Sequence, residues 1–477
     1  LAESVLLSVL GAALGFIFAF WSVSGLRHGL GSMSIARAHE VTLDIGVLGF
    51  ALAVLVLTGV GCGLAPALQA SRPNLNHALK DAARGSATGG NRLRSSLIVG
   101  EAALALVLLT GAGLLLHSFS RLLSVPPGFD PERALTMQIS LPVQKYRDNA
   151  QRAAFYSRLT ERVAALPGVE AAGVSGVLPL GGGMPDPFFR IRGRANPPEP
   201  GYSADFDFCT VDYFRAMGIP LRRGRFFNSG EAAAPRVAII DETMAREYFP
   251  NEDPIGRQIS QETNDWEIVG IVGDVRVRGL AKPVRPLVYR LHSPLDTPRN
   301  ATLVVRTRGD PKAFARSVHR AILEIDPAQP VANVRTLEEV ISASVAQRRL
   351  TLVLLGSFAG VALLLTAIGL YGVIAYVVTQ RTREIGIRMA LGANRGSVLA
   401  LVLRQGMTLA VLGVALGVPA ALGLTRVLTS LLYEVKPGDP LTVSGVSLIL
   451  LLVALLACWL PARRAAKVDP MEALRYE

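Results

Sequence analysis

The distribution of charged residues restricts the fold of this chain more than any other feature. Half of the composition is hydrophobic and only 18% is charged, which is too apolar for an ordinary soluble protein. Six segments carry no Asp, Glu, Lys or Arg, and each is close to or longer than the ~20 residues of a membrane-spanning helix. We therefore predict an integral membrane protein, because a soluble core would need six overlong helices without a polar face. The uncharged segments are 4–26, 45–71, 102–120, 350–380, 405–425 and 440–462.

Basic residues are concentrated in alternate connecting segments. Segments 72–94 and 381–404 each hold five basic residues against one acidic residue, and the tail after 462 holds four. Segments 27–44 and 434–439 hold only two and one. By the positive-inside rule, the three basic segments are cytoplasmic. The net charge of +12 is thus explained by topology, and we do not expect a nucleic-acid-binding surface.

An internal repeat indicates a duplicated module. The segment "ESVLLSVLGAALG" (3–15) matches "QGMTLAVLGVALG" (405–417) at seven of thirteen positions. Further along, "APALQASRPNLNHAL" (65–79) aligns in the same order with "LPARRAAKVDPMEAL" (460–474). Shared membrane-helix composition explains either match alone, but the ordered pair favours a duplication.

The repeat and the uncharged segments together set the expected domains. Residues 1–80 are expected to be the last two transmembrane helices and the cytoplasmic end of a first copy. Because the chain begins with Leu1 in the middle of an expected helix, with neither a start methionine nor a signal peptide, we expect a fragment truncated at its N-terminus. The second copy is expected to comprise a flexible cytoplasmic linker rich in Gly, Ser and Ala (81–96), a first transmembrane helix (97–117), an extracytoplasmic domain (118–349) and a three-helix transmembrane domain (350–477).

The extracytoplasmic segment has the pattern of an α+β domain. Asp310 followed by Pro311 predicts one helix start, and the capping box "TLEE" (336–339) predicts another. A middle rich in Pro and Gly (180–202) suggests two small subdomains. The expected fold is thus an α-helical membrane protein with six spans and a large α+β extracytoplasmic domain of two subdomains. Alternation and helical spacing predict strands at 134–141, 236–241, 266–275 and 302–309 and a helix at 149–166.

Motifs of catalysis are missing from the given sequence. It contains no Gly-Lys dipeptide, hence no ATP-cradling loop, and no His or Cys pair with metal-ligand spacing. The carboxylates Asp241 and Asp274 follow strands, where turn or cap roles are several times more common than catalysis. We therefore predict no catalytic, cofactor-binding or metal-binding residues in this chain.

Glu101 lies near the cytoplasmic end of a predicted span. An intramembrane carboxylate is a functional candidate by default. Because its depth is shallow, we favour an interfacial residue that pairs with Arg94 or another nearby base.

The segment "TQRTREIGIRMALGANRGSV" (379–398) is charged although it lies between two apolar runs. Arg381, Glu384 and Arg388 have the spacing of i,i+3 and i,i+4 ion pairs on a helix. Gly392 can adopt the left-handed conformation that ends a helix. The alternative interpretation is a segment that only anchors the chain at the membrane through its positive charge. Such an anchor would need the arginines but not the glycine that ends the helix.

Apolar residues of the same segment also have helical spacing. Ile385 and Met389 are one turn apart, as are Ile387 and Leu391. Asn394 is placed to cap the next helix. The pattern predicts a short amphipathic helix, an elbow and re-entry into the membrane, with a surface suited to a docking partner.

Several longer motifs resemble one protein family over nearly the whole chain. "TREIGIRMALGANRGSVLALVLRQGM" (382–407) and "LPARRAAKVDPMEALRYE" (460–477) are similar to the hallmark and carboxyl end of MacB/FtsX-type ABC transporter permeases. "DYFRAMGIPLRRGRFF" (212–227), "AREYFPNEDPIGR" (245–257) and "WEIVGIVGDVR" (266–276) resemble the extracytoplasmic core domain of that family. The duplication without an ATPase domain resembles its tandem "orphan" permeases.

The resemblance implies a permease of the bacterial inner membrane that is driven from outside the chain. ATP would bind to a partner ABC ATPase, which would push a coupling helix within 379–396. The uncharged run 350–380, roughly 45 Å long as a helix, would carry the motion to the extracytoplasmic domain as a stalk. Gly356 and Gly360 would pack against a second permease copy. The residues implied to couple to the ATPase are Arg383, Glu384, Ile385, Gly386, Arg388, Met389, Leu391 and Gly392.

Two functions are compatible with this resemblance. The favoured one is efflux or export by mechanotransmission, with a possible periplasmic adaptor as a further partner beside the lipid bilayer. The alternative is a membrane-anchored relay of the cell-division type that activates extracytoplasmic cell-wall hydrolases. No residue of the sequence indicates which molecule is transported.

Overall fold

The computed structural model forms two compact units. One comprises residues up to Arg121 and from Gln347 onward, and the other is Leu122–Ala346. Two of the six expected spans, 4–26 and 45–71, lie largely outside the described residues, as does most of the first copy of the repeat. The structure describes residues 88–467 apart from 195–200, 234–235, 262–263, 294–295, 431 and 437, together with scattered positions between 6 and 57.

The described residues of 88–467 form helices and strands in the following order. The helices are α1 (Thr88–Leu123), α2 (Asn149–Ala164), α3 (Tyr213–Met217), α4 (Glu242–Tyr248), α5 (Pro311–Ile325), α6 (Leu337–Ser344), α7 (Ala346–Gln380), α8 (Thr382–Ala390), α9 (Arg395–Leu424) and α10 (Pro440–Ala465). The strands are β1 (Ala134–Ser140), β2 (Val169–Ser175), β3 (Phe188–Ile191), β4 (Tyr202–Ser203), β5 (Asp205–Cys209), β6 (Leu221–Gly224), β7 (Val237–Asp241), β8 (Gln258–Gln261), β9 (Asn264–Val272), β10 (Leu287–Leu291), β11 (Asn300–Thr307) and β12 (Val331–Thr336).

Among the described residues, four helices are long and apolar enough to cross a membrane. They confirm the last four of the six expected spans. The second half of the expected flexible linker 81–96 is helical, because α1 begins at Thr88, and residues 81–87 lie outside the described residues. Once a helix has formed, each further residue adds a hydrogen bond at little cost, so the transmembrane helix extends into the linker. The candidate spans are Arg94–Leu123, Ala346–Gln380, Arg395–Leu424 and Pro440–Ala465.

Glycines on α9 allow the membrane helices to approach closely. A Cβ atom at Gly413 would lie 2.5 Å from Cβ of Ala102 on α1, and one at Gly417 would lie 2.8 Å from Cδ2 of Leu106. Gly406 faces the thiol of Cys458 on α10 in the same way. Since lipid offers no hydrophobic gain between helices, such close van der Waals contact is what holds them together.

The extracytoplasmic unit contains a continuous path of hydrogen-bonded strands. Among the described residues the order is β12-β1-β11-β2-β5-β10-β7-β9-β8-β3-β4, with β6 paired to β9. One end carries α2 and α5 over β1, β2 and β11, and the other end has its own aromatic core around Phe189 and Trp266. Among the described residues, Ser175–Cys209 is the one paired position between β2 and β5, and it is flanked by two backbone hydrogen bonds, from the N–H of Gly176 to the carbonyl of Phe208 and from the N–H of Thr210 to the carbonyl of Val174. The two expected subdomains are therefore linked into one path at a narrow joint.

The predicted helix starts are confirmed. Asp310 accepts a hydrogen bond from the backbone N–H of Lys312 at 3.0 Å, ahead of Pro311. Thr336 and Glu339 form the reciprocal capping box of α6. These caps satisfy backbone donors that the first turn of a helix leaves unpaired.

The two carboxylates that follow strands have structural roles, as predicted. Asp241 caps α4 by accepting from the backbone N–H of Met244 at 2.8 Å. Asp274 accepts from both the backbone N–H and the hydroxyl of Thr243, each at 2.7 Å. Their contacts fix the start of α4 against the neighbouring loop.

Candidate coupling site

The short helix α8 lies between two candidate spans. The transmembrane helix α7 ends at Gln380, and Arg381 interrupts the helical geometry with φ of −99° and ψ of 11°. The hydroxyl of Thr382 donates to the carbonyl groups of Val378 and Thr379, which joins the two helices closely. The predicted boundaries 379–396 thus contain the whole of α8 and the elbow that follows it.

The predicted ion pairs of α8 are formed. The guanidinium of Arg388 donates to Glu384 at 2.6 Å, and Nε of Arg381 lies 4.0 Å from the other oxygen of the same carboxylate. All three side chains are about half exposed. Exposed ion pairs contribute little to stability. These charges therefore stabilise α8 only slightly, and their main effect is on the charge pattern of its exposed surface.

The two apolar pairs of α8 point in different directions. Ile385 is buried among residues of α7, α9 and α10, and Met389 packs against the same core. Gly386 is also buried. In contrast, Ile387 is 43% and Leu391 83% exposed. One side of α8 is therefore held by the bundle while the other presents two apolar side chains outward.

Gly392 makes the elbow after α8. Its φ of +96° is the left-handed conformation that the sequence predicted. The N–H of Ala393 donates to the carbonyl of Arg388 at 2.9 Å, and the N–H of Gly392 donates to that of Met389 at 3.1 Å. This bond pair is a Schellman motif, which satisfies the last carbonyls of α8.

Asn394 occupies the expected N-cap position of α9, but its side chain makes no capping hydrogen bond. The backbone carbonyl of Asn394 instead accepts from the backbone N–H and the hydroxyl of Ser397, at 2.9 and 2.6 Å. The prediction of a side-chain cap at this residue is wrong, because the N–H of Ser397, which such a cap could bind, donates to the backbone carbonyl of Asn394 instead.

Tyrosines of α7 contact polar side chains near α8. The guanidinium of Arg94 on α1 lies 4.5 Å from the ring centre of Tyr376, whose hydroxyl accepts from Gln380. Arg464 on α10 donates to the hydroxyl of Tyr371 at 3.0 Å. These contacts hold the basic ends of α1 and α10 against α7, and the sequence pattern did not single out either tyrosine.

The expected pairing of Glu101 with Arg94 is wrong. Among the described residues Glu101 has no ion-pair partner within 4.0 Å, and Arg94 stacks on the tyrosine instead. One carboxylate oxygen of Glu101 lies 3.0 Å from where a Cβ atom at Gly369 would be. The glycine of α7 thus leaves room for this carboxylate between two helices.

The remaining predicted residues are less constrained. Arg383 lies within α8, and its side chain is outside the described part of the structure. Gly356 and Gly360 are exposed on α7, with open space where their Cβ atoms would be. Their packing against a second copy stays a prediction. Three glycines of α9, Gly406, Gly413 and Gly417, pack closely against other helices, and their spacing of seven and four residues could have identified them.

Two family models match the chain. The model described as "MacB-like periplasmic core domain" matches residues 95–321, and "FtsX-like permease C-terminal" matches residues 356–470. Together they include most of the extracytoplasmic unit and the segment that contains α8 and α9.

Curated relatives have related names. The chain is 29% identical over 272 residues to "Uncharacterized ABC transporter permease YknZ" of Bacillus subtilis, which covers 56% of this chain and 68% of that protein. It is 30% identical over 278 residues to "Macrolide export ATP-binding/permease protein MacB" of Agrobacterium fabrum, covering 55% and 42%. It is 28% identical over 276 residues to "Pyoverdine export ATP-binding/permease protein PvdT" of Pseudomonas aeruginosa, covering 55% and 41%. The chain thus spans less than half of these last two relatives.

Proposed function

Because the chain belongs to the MacB/FtsX-type ABC transporter permeases, we propose that it is a permease subunit whose helix α8 is the docking site of a separate ATPase. It is a multi-pass protein of the bacterial inner membrane with an extracytoplasmic α+β domain. ATP binds to and is hydrolysed on the partner. The chain itself contributes the coupling helix, the transmembrane helices and the extracytoplasmic unit.

The exposed side of α8 is the observation that supports this proposal most. Ile387 and Leu391 are one helical turn apart and point away from the bundle. The ion-paired Glu384 and Arg388 lie beside them. An apolar centre with a charged rim is the arrangement of a protein interface, and the basic segment 381–404 lies on the cytoplasmic side, where an ATPase would be.

The attachment of α8 makes it suitable for transmitting force. The burial of Ile385 and the Schellman motif at Gly392 hold it to α7 and α9. A push on α8 therefore moves these helices rather than bending a loop. The 35 residues of α7 form one helix about 52 Å long, which exceeds a hydrocarbon core of about 30 Å. We propose that α7 carries the motion outward.

We favour export over the hydrolase-activating relay. Relatives named for macrolide export and pyoverdine export support this choice. In this proposal a second permease copy packs on the exposed face of α7 at Gly356 and Gly360, and a periplasmic adaptor extends the pathway.

Docking on α8 can be tested by purifying the full-length protein from membranes of its host and measuring the ATPase that accompanies it. We expect Leu391→Asp to reduce the bound ATPase at least about tenfold, because a charge replaces an apolar side chain at the centre of the interface. The combined change Glu384→Lys with Arg388→Glu keeps an ion pair within α8 but reverses both charges toward the partner. It should also reduce binding.

The matched control is Val143→Asp, which introduces the same charge at a side chain that is 60% exposed on the extracytoplasmic unit. It should leave the bound ATPase unchanged. If both α8 variants retain a bound and active ATPase while the protein is folded, α8 is a basic anchor and the docking proposal is wrong.

A further inference from the structure

One face of the extracytoplasmic sheet is only partly covered. On β1, Leu135, Met137 and Ile139 face the core beneath α2 and α5. The alternate residues point to the opposite face. There Ala134 is covered by a second core that includes residues of α3 and α6, but Gln138 and the residues toward the end of β1 are exposed.

Two adjoining cavities lie on this uncovered face. Their volumes are about 260 and 350 Å³, and both are lined by Gln138, Gly176 and Thr302. Because they share these residues, we treat them as one groove, the sheet-face groove. Its size is within the range of pockets that bind small ligands.

The walls of the sheet-face groove differ from its floor. Leu178 and Leu180, from the segment after β2, form one apolar wall. Val340 and Ser344 of α6 form the other. The floor consists of polar side chains of β1, β11 and β12, so a ligand would find apolar sides above a hydrogen-bonding base.

The floor offers mainly hydrogen-bond donors. Oε1 of Gln138 accepts from Asn333 at 2.5 Å, and Oδ1 of Asn300 accepts from Ser140 at 2.7 Å. These bonds occupy the acceptor of each amide. The NH₂ groups of Gln138 and Asn300 have no partner among the described residues. They are therefore available to carbonyl oxygens of a ligand.

Asn333 reaches Gln138 because of a β-bulge. The register between β12 and β1 shifts between Thr136 and Gln138, and Asn333 has a φ of 49°. Bulges redirect side chains and are frequent beside functional sites.

Arg335 supplies a positive charge at one end of the groove. It lies opposite Thr136 in the register and lines the larger cavity. Among the described residues it has no ion-pair partner within 4.0 Å. Neither cavity is lined by Asp or Glu. Glu339 of α6 interacts electrostatically with Arg335, but its carboxylate pairs with Lys312 at 2.6 Å. The groove therefore favours an anionic group of a ligand near Arg335.

The polar side chains of the groove floor are spaced like the carbonyl groups on one side of an extended peptide. Asn300 lies opposite Ser140, Thr302 opposite Gln138, and Arg335 opposite Thr136, so the three rows are two residues apart along β1. Two residues of a strand span about 6.8 Å, which is also the distance between successive carbonyl groups on one side of an extended peptide. We propose that the sheet-face groove binds an extended peptide of about five residues whose C-terminal carboxylate contacts Arg335 and whose apolar side chains contact Leu178, Leu180 and Val340.

Binding of a peptide to the sheet-face groove is separate from ATPase coupling, so it can be measured without the ATPase. The full chain in phosphatidylcholine nanodiscs is titrated into the pentapeptide Ala-Ala-Val-Thr-Leu, which carries fluorescein on its amino end, and fluorescence anisotropy is recorded. The same peptide with a C-terminal amide is the second probe. We expect the free acid to bind at least about tenfold more tightly, because hydrogen bonds between charged groups are stronger than neutral ones.

Arg335→Gln should abolish the preference for the free acid. The matched control Arg308→Gln should keep it, because Arg308 is an exposed arginine of the same unit that lines neither cavity. Equal binding of acid and amide to the unmodified protein, or a preference that survives Arg335→Gln, would overturn the proposal.

Two further measurements locate the ligand and define its class. Ser344→Trp places a large side chain at the groove wall on an exposed residue, and it should abolish binding of the free acid. Retained binding would show that the peptide lies elsewhere. If dodecanoate displaces the labelled peptide at a concentration equal to that of the peptide, the groove binds a fatty acid and the proposal of a peptide ligand is wrong.

Discussion

At the residue scale, Asp207 shows how burial disfavours the ionised form of a carboxyl group. It is fully buried near the narrow joint between β2 and β5, and this burial raises the pKa of its carboxyl to about 7 against the hydrogen bonds that lower it. One oxygen accepts from the N–H groups of Val177 and Phe208. The other lies 2.5 Å from the hydroxyl of Ser175, which also lies 2.9 Å from the carbonyl of Val177. A protonated carboxyl satisfies all these groups, because it donates to Ser175 while Ser175 donates to Val177.

This raised pKa predicts how the extracytoplasmic unit responds to pH. Between pH 4 and 7 the folded state keeps the proton on Asp207 while the unfolded state, with an ordinary pKa of 3.8, releases it. The folded state then binds more protons, so the free energy of unfolding falls as pH rises through this window and levels off above it. The full difference is up to about 4 kcal/mol. Hydrogen exchange of β2 and β5 amides in the full chain, corrected for intrinsic rates, should show weaker protection at pH 7.5 than at pH 5.

Asp207→Asn should remove most of this pH dependence, because the amide can donate to Ser175 and does not titrate. Asp212→Asn is the control, since that carboxylate is 48% exposed. The interpretation fails if Asp207→Asn keeps the same difference in protection between the two pH values.

At the element scale, α9 owes its position to residues that lack side chains. Gly413 and Gly417 face α1, and Gly406 faces α10. Without a hydrophobic driving force in lipid, the association of these helices depends on close packing along this glycine face. A larger residue would force α1 and α9 apart and would also disturb the bundle that holds α8.

Gly413→Val should therefore destabilise the membrane unit by about 1–3 kcal/mol, the usual cost of overpacking. Gly423→Val is the matched control, because open space surrounds that position on the same helix. Thermal unfolding of the two variants in the same detergent measures the difference. A Gly413→Val variant as stable as Gly423→Val would show that the glycine face does not hold the bundle.

Local patterns predicted the elements, but contacts between elements decided the site. Caps such as Asp310 and the capping box at Thr336 depend on neighbours in the sequence, so they were predictable. The helical spacing of Ile385 and Ile387 was equally clear, yet which of them is buried depends on how α8 meets the bundle. Periodicity carries no such information. The same reason explains Arg94, whose stacking on Tyr376 replaced the expected pairing with Glu101.

At the scale of the whole molecule, the two units are connected by the chain at two points. The extracytoplasmic unit begins at Leu122, at the end of α1, and ends at Ala346, where α7 begins. On the second connection, α6 ends at Ser344 and α7 starts two residues later. If α7 transmits motion from α8, the force reaches the extracytoplasmic unit through α6, which also forms a wall of the sheet-face groove.

Inserting Gly-Gly-Ser after Ser344 tests this transmission. A flexible segment transmits little force, so we expect the ATPase to remain bound, because α8 is unchanged, while the response of the extracytoplasmic unit to ATP is lost. That response is measured as the change in hydrogen exchange of α6 and residues 176–181 on adding ATP with vanadate. The same insertion after Gly193, an open turn with φ of +83°, should preserve both ATPase binding and the response. If the insertion after Ser344 leaves the response intact, motion reaches the unit through α1 or a partner, and α7 is not the stalk.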